Sequence, residues 1–140
     1  MEKSSQELQR QLVDLTFQIA AKLQGLTEAQ LAASAPWHNT NFTVRFLLHR
    51  LAGHCADHLN QLHKVRRGIA APPSEAQMIL GQYLVAQAAV LGELVGLSEV
   101  QLAQPQAPGE WSANQVLEHL LDSQRRMLES IEVALAPKQT

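Results

Sequence analysis

His54 and His58 stand four residues apart in a segment that reads as one continuous helix, so their imidazoles leave the same face of it. Two neutral imidazoles so placed can hold one metal ion, and a third from another helix completes a site with an open coordination position. His119 is the candidate third ligand, on a comparable helix late in the chain. The pattern is not that of a zincin, in which a Glu follows the first His, because position 55 is Cys. Cys55 points about 100° away from His54, so it is a poor fourth ligand and reads as a small apolar residue, with a reactive thiol as the alternative. Of the other histidines, His49 lacks a partner four residues on, His63 adjoins Lys64, Arg66 and Arg67, and His38 falls in a loop.

The elements that must carry these residues are four helices. The first follows a capping box at Ser4-x-x-Glu7 and bears Leu8, Leu12, Leu15, Ile19 and Leu23 at helical spacing before Gly25. The second begins near Thr43, bears Val44, Leu47, Leu48, Leu51, Leu59 and Leu62, and stops at Gly68. His54 and His58 continue its apolar stripe. The third starts at the capping box Ser74-x-x-Gln77, carries Leu80, Tyr83, Leu84, Val90, Leu91 and Leu94, and runs to about Val95. The fourth takes Ser112 as N-cap, bears Val116, Leu120, Met127 and Ile131, and ends before Pro137, with His119 at the margin of its stripe. No segment reads convincingly as a strand.

The connections after the first and third helices each contain a helical turn and expose an internal repeat. Residues 25–32, Gly-Leu-Thr-Glu-Ala-Gln-Leu-Ala, match residues 96–103, Gly-Leu-Ser-Glu-Val-Gln-Leu-Ala. Phe42-Thr43 then aligns with Trp111-Ser112, and Leu48, Leu51 and Leu59 with Leu117, Leu120 and Leu128. One domain over residues 1–140 is therefore expected, built from two pseudo-repeated helical hairpins at about 4–67 and 74–136. The fold class is all-α, a four-helix bundle.

A shared histidine site constrains that bundle. His119 lies nearer the start of its helix than His54 and His58 lie in theirs. Were the second and fourth helices parallel, the rings would be offset by roughly 6–12 Å at 1.5 Å per residue. An antiparallel crossing levels them, which requires up-down-down-up order. The spacing leaves two readings open. The three histidines hold a metal, or they are core residues with hydrogen-bond partners for both ring nitrogens.

Bulk properties narrow the partners. At 140 residues the chain suits one domain with its own core, and a lone cysteine allows no internal disulfide. Net charge is −2, and no Lys or Arg lies between Arg67 and Arg125, so nucleic acid is not an expected partner. No apolar run is long enough to span a membrane, and the polar start Met1-Glu2-Lys3-Ser4-Ser5 is unlike a signal peptide; a cytoplasmic protein is the expectation. Charged residues make up only 17% against 46% hydrophobic, which points to an oligomer. The third helix is the expected homodimer surface, with the first helix as a possible contributor. Its only charged residues between Ser74 and Val95 are Glu75 and Glu93.

Two stretches carry a family resemblance. Glu110-Trp111-Ser112-Ala113-Asn114-Gln115-Val116-Leu117-Glu118-His119-Leu120 resembles the Trp-Ser…Val-Leu-x-His-Leu helix of the DinB/YfiT-like superfamily. Phe42-Thr43-Val44-Arg45-Phe46-Leu47-Leu48, leading to His54-x-x-x-His58-x-x-Gln61, resembles that superfamily's other metal helix. With the repeat, the resemblance covers nearly the whole chain. It implies an up-down-down-up four-helix bundle, often a homodimer, and a divalent metal, zinc or nickel, on His54, His58 and His119 with water completing the coordination. The two motifs stand in exchanged order here, and a pseudo-twofold bundle recreates the same constellation when its hairpins are swapped.

The function expected is thus a divalent-metal-dependent enzyme acting on a small-molecule substrate. A thiol-dependent S-transferase, using a low-molecular-weight thiol, and a hydrolase are the two reaction classes, and no residue is assigned as catalytic. Gln61 and Asp122, each one turn beyond a histidine, are candidates to support a ligand or contact substrate. Trp37 and Trp111 are candidates for the pocket mouth. The alternative is a non-catalytic interaction module with a structural or vestigial metal site. A bis-histidine haem bundle fits poorly with an aromatic content of 4%.

Overall fold

The computed structural model describes residues 4–137. Met1, Glu2 and Lys3, which enter the reading of the N-terminus, lie outside the described residues. The chain divides after Val95 into two compact units.

The first unit begins with α1 (Ser5–Leu23), capped by the Ser4 hydroxyl, which accepts from the Glu7 N–H. The short α2 (Glu28–Ala32) follows a capping box between Thr27 and Gln30. Strands β1 (Ser34–Trp37) and β2 (Thr40–Thr43) pair antiparallel, in register from Ser34↔Thr43 to Trp37↔Thr40. Next come α3 (Val44–Gly68), capped by the Thr43 hydroxyl, and α4 (Glu75–Glu93), capped by a Ser74–Gln77 box. The second unit holds α5 (Glu99–Ala103) and α6 (Ala113–Leu135), each opened by a capping box, at Ser98–Gln101 and Ser112–Gln115. The two halves run through matching helices: α1 and α4 have 19 residues each, α2 and α5 five each, and α3 and α6 have 25 and 23.

The protein is mostly helical, and caps and breakers explain where its helices stop. Each N-cap hydroxyl takes an N–H that the helix itself leaves unpaired. The loop before α6 turns at Ala107–Glu110, where the Glu110 N–H donates to the Ala107 carbonyl at 3.1 Å. Pro108 supplies the fixed φ and Gly109, at φ 85°, the left-handed residue that such a turn demands.

The hairpin β1–β2 departs from the expectation that the chain has no strand. His38 and Asn39 form its two-residue turn, both with positive φ (46° and 62°), as hairpin turns matched to the strand twist require. The usual sequence signal is Asn-Gly or Asp-Gly, and His-Asn does not announce itself. Pro36 also argues against a strand, but a two-stranded ribbon is all edge and tolerates it. The ladder runs into the helix, with the Val44 N–H donating to the Ala33 carbonyl at 3.0 Å.

The helix stripes expected to form a core are not covered. Among the described residues no hydrophobic side chain is buried, and Ser112, 5% exposed, is the one buried polar residue. Contacts between elements are local: α2 and both strands lie against α3, and α5 lies against α6. The stripes of α1 and α4 are accordingly open to solvent, with Leu12 and Leu84 each 65% exposed.

The Ser112 cap is the buried polar anchor among the described residues of the second unit. Its hydroxyl accepts from the Gln115 N–H at 3.3 Å, while the Gln115 side-chain oxygen accepts from the Ser112 N–H at 2.8 Å. Ser112→Ala is expected to cost about 1 kcal/mol of stability and Ser112→Gly only a few tenths. Urea unfolding followed by circular dichroism measures both, and equal losses would remove the hydroxyl from the account.

Candidate metal centre

The helical rise of α3 places His54 and His58 one turn apart on one face, and their rings meet edge to face with centroids 4.4 Å apart. The two Nε2 atoms converge to 3.0 Å. Two nitrogens on one tetrahedral zinc stand about 3.3 Å apart, from the usual Zn–N length. The pair therefore fits a shared ion with only a small parting of the rings.

Gln61, one turn further along α3, approaches the other nitrogen of His58, with Oε1 2.8 Å from Nδ1. A side-chain carbonyl can only accept, so Nδ1 carries the proton and His58 Nε2 presents a lone pair. His54 Nε2 must then donate in the contact between the rings. Receiving a metal would require His54 to move its proton to Nδ1. Both rings are exposed, so an ion reaches them without a buried path.

His119 lies on α6 in the second unit. Its ring packs against Trp111, centroids 5.0 Å apart, and its Nε2 is 3.5 Å from the Ser123 hydroxyl. Trp111 precedes the Ser112 cap, so the cap that starts α6 also sets the indole against His119. Asp122 is taken up by Arg126 one turn on, in an exposed ion pair of 2.9 Å. Such a pair contributes little and leaves Asp122 turned along the helix rather than onto a histidine. Cys55 is free and exposed.

The structure thus brings together His54, His58 and Gln61. It places Trp111 with His119, and Trp37 near His54 across a cavity at the hairpin. Among the described residues no group of three or more His, Cys, Asp or Glu side chains is gathered to hold a metal ion. Arg50 is the residue of this region that the sequence reading passes over. It lines that same cavity one turn before His54 and pairs with Asp57 at 3.0 Å. Its spacing four residues before His54 was the available signal. No family model, curated protein or solved structure matches the chain. No helix among the described residues is long and apolar enough to cross a membrane.

Proposed function

We propose that the protein is a divalent-metal-dependent enzyme of DinB/YfiT-like type, with His54, His58 and His119 as ligands of zinc or nickel. The observation that carries this reading is the convergence of the His54 and His58 Nε2 atoms to 3.0 Å, with Gln61 on the remaining nitrogen of His58. A hydrogen-bonded partner that fixes the ring and its tautomer is the usual support of a metal-binding histidine. His119 joins them when the two hairpins close as an up-down-down-up four-helix bundle. That closure is favoured by the stripes of α1, α3, α4 and α6, since each large apolar side chain taken from water contributes roughly 1.5–3 kcal/mol.

When bound, a divalent ion supplies Lewis-acid activation of a thiol or of water, for S-transfer or hydrolysis. The chain's part is to hold that ion with neutral donors, keep a position open, and orient His58 through Gln61. A second copy of the chain completes the assembly by covering the outer face of α4.

Elemental analysis of untagged protein, followed by titration with a small thiol, tests the reading. Stoichiometric zinc or nickel that accepts the thiol is the expected result. Metal that accepts no exogenous ligand would assign the bundle to binding rather than catalysis, and absence of metal after reconstitution would overturn the site. Gln61→Ala should weaken metal affinity by roughly 10–100-fold while leaving helicity intact; calorimetric titration reads the change.

A further inference from the structure

A cavity of about 380 Å³ opens on the first unit, lined by Trp37, His38, Leu47, Arg50, Leu51 and His54. Its size falls in the range of small-molecule sites, roughly 300–1,000 Å³. It exists because the β1–β2 hairpin lies against α3. The left-handed turn at His38 and Asn39 ends the hairpin, and Trp37 and His38 stack edge to face with centroids 4.5 Å apart. The opposite wall is a single face of α3, where Leu47, Arg50, Leu51 and His54 recur at helical spacing.

The chemistry of that lining is one-sided. Trp37, Leu47 and Leu51 are apolar, Arg50 is a permanent cation, and none of the six is acidic. Arg50 Nη1 donates to Asp57 Oδ2 at 3.0 Å, which leaves the other guanidinium N–H groups to the cavity. Both partners are exposed, so Asp57 competes only weakly for the cation. The neighbouring Arg45 pairs with Glu28 and does not line the cavity.

We propose that this cavity binds a small organic anion with an apolar body, a monocarboxylate bearing an aryl or branched alkyl group. The carboxylate sits on Arg50 and the body lies between Trp37 and the two leucines. His54 is common to the cavity and to the histidine pair, so the anion is the substrate class of the proposed metal site, and in that respect the inference rests on the metal reading. Binding itself needs only the cavity.

The test uses the Trp111→Phe chain, in which Trp37 is the only indole. Its fluorescence is titrated with phenylbutyrate and with the neutral phenylbutanol, in the presence of a chelator. Phenylbutyrate is expected to bind at least several-fold more tightly. Arg50→Gln should weaken phenylbutyrate roughly tenfold, the loss of one charge-assisted hydrogen bond, and leave phenylbutanol unchanged. Asp57→Asn should do the opposite, tightening phenylbutyrate several-fold by releasing Arg50. Equal binding of acid and alcohol, or indifference to both substitutions in a chain of native helicity, would overturn the assignment. So would a failure of Trp37 to respond to either probe. Anion binding by the chelated chain, together with no metal uptake by the unsubstituted protein reconstituted without chelator, would retain the cavity and reject the metal site; metal uptake by that protein without anion binding would do the reverse.

Discussion

His58→Ala is expected to abolish stoichiometric metal binding, while the helix content of the chain stays the same. The loss should exceed the roughly 10–100-fold that follows removal of a group that merely orients a ligand, because a donor atom itself is gone. His58 makes both contacts that define the pair, with His54 at 3.0 Å and Gln61 at 2.8 Å. Its side chain is exposed, so truncation leaves no cavity to confuse the readout. His119→Ala should match it if the bundle closes as proposed, whereas His49→Ala and His63→Ala should leave metal content alone. Elemental analysis and calorimetric titration read all four. Unchanged metal in the His58 or His119 variant would remove that residue from the site.

Val85→Glu should convert a dimer into a monomer. Helix α4 has apolar residues around its circumference, and its charges are only Glu75 and Glu93 at its two ends. Leu80, Leu84 and Leu91 form one stripe. Val85 lies about 140° around the helix from Leu80, at 3.6 residues per turn, on a second face with Met78, Gly81 and Gly92. A helix with large apolar residues on more than one face and charge only at its ends has more than one face to cover. In the proposed assembly the bundle takes the leucine stripe and a second copy covers the Val85 face, where that side chain is 72% exposed. The small residues beside it let another helix approach closely. An unpaired carboxylate placed there costs on the order of 3 kcal/mol, about 100-fold in dimer affinity. Sedimentation at micromolar concentration measures it. A wild-type monomer, or a Val85→Glu dimer of undiminished affinity, would place the interface elsewhere or nowhere.

Much of this was legible in the sequence because it is local. The ends of the four long helices follow from hydroxyl caps at Ser4, Thr43, Ser74 and Ser112 and from the breakers after them. The helical turns expected in the connections are α2 and α5, opened by Thr27 and Ser98. The placing of His54 against His58 is likewise a property of one helix, since residues four apart share a face in any α-helix. The β1–β2 hairpin was not legible. Its turn is His-Asn rather than a glycine pair, and its first strand contains Pro36.

By itself, then, the sequence determined which segments are helical, where each begins, and that two imidazoles and an amide share one face of α3. Those outcomes depend on hydrogen bonds and side-chain neighbours within a few residues of one another. Tertiary structure alone decided the pairing of Ser34–Trp37 with Thr40–Thr43 and the cavity that sets Trp37 and His38 opposite Arg50 and His54. A strand pair requires its two segments to find each other, and a cavity requires a second element to approach a helix face. Neither is written in the periodicity of any single segment.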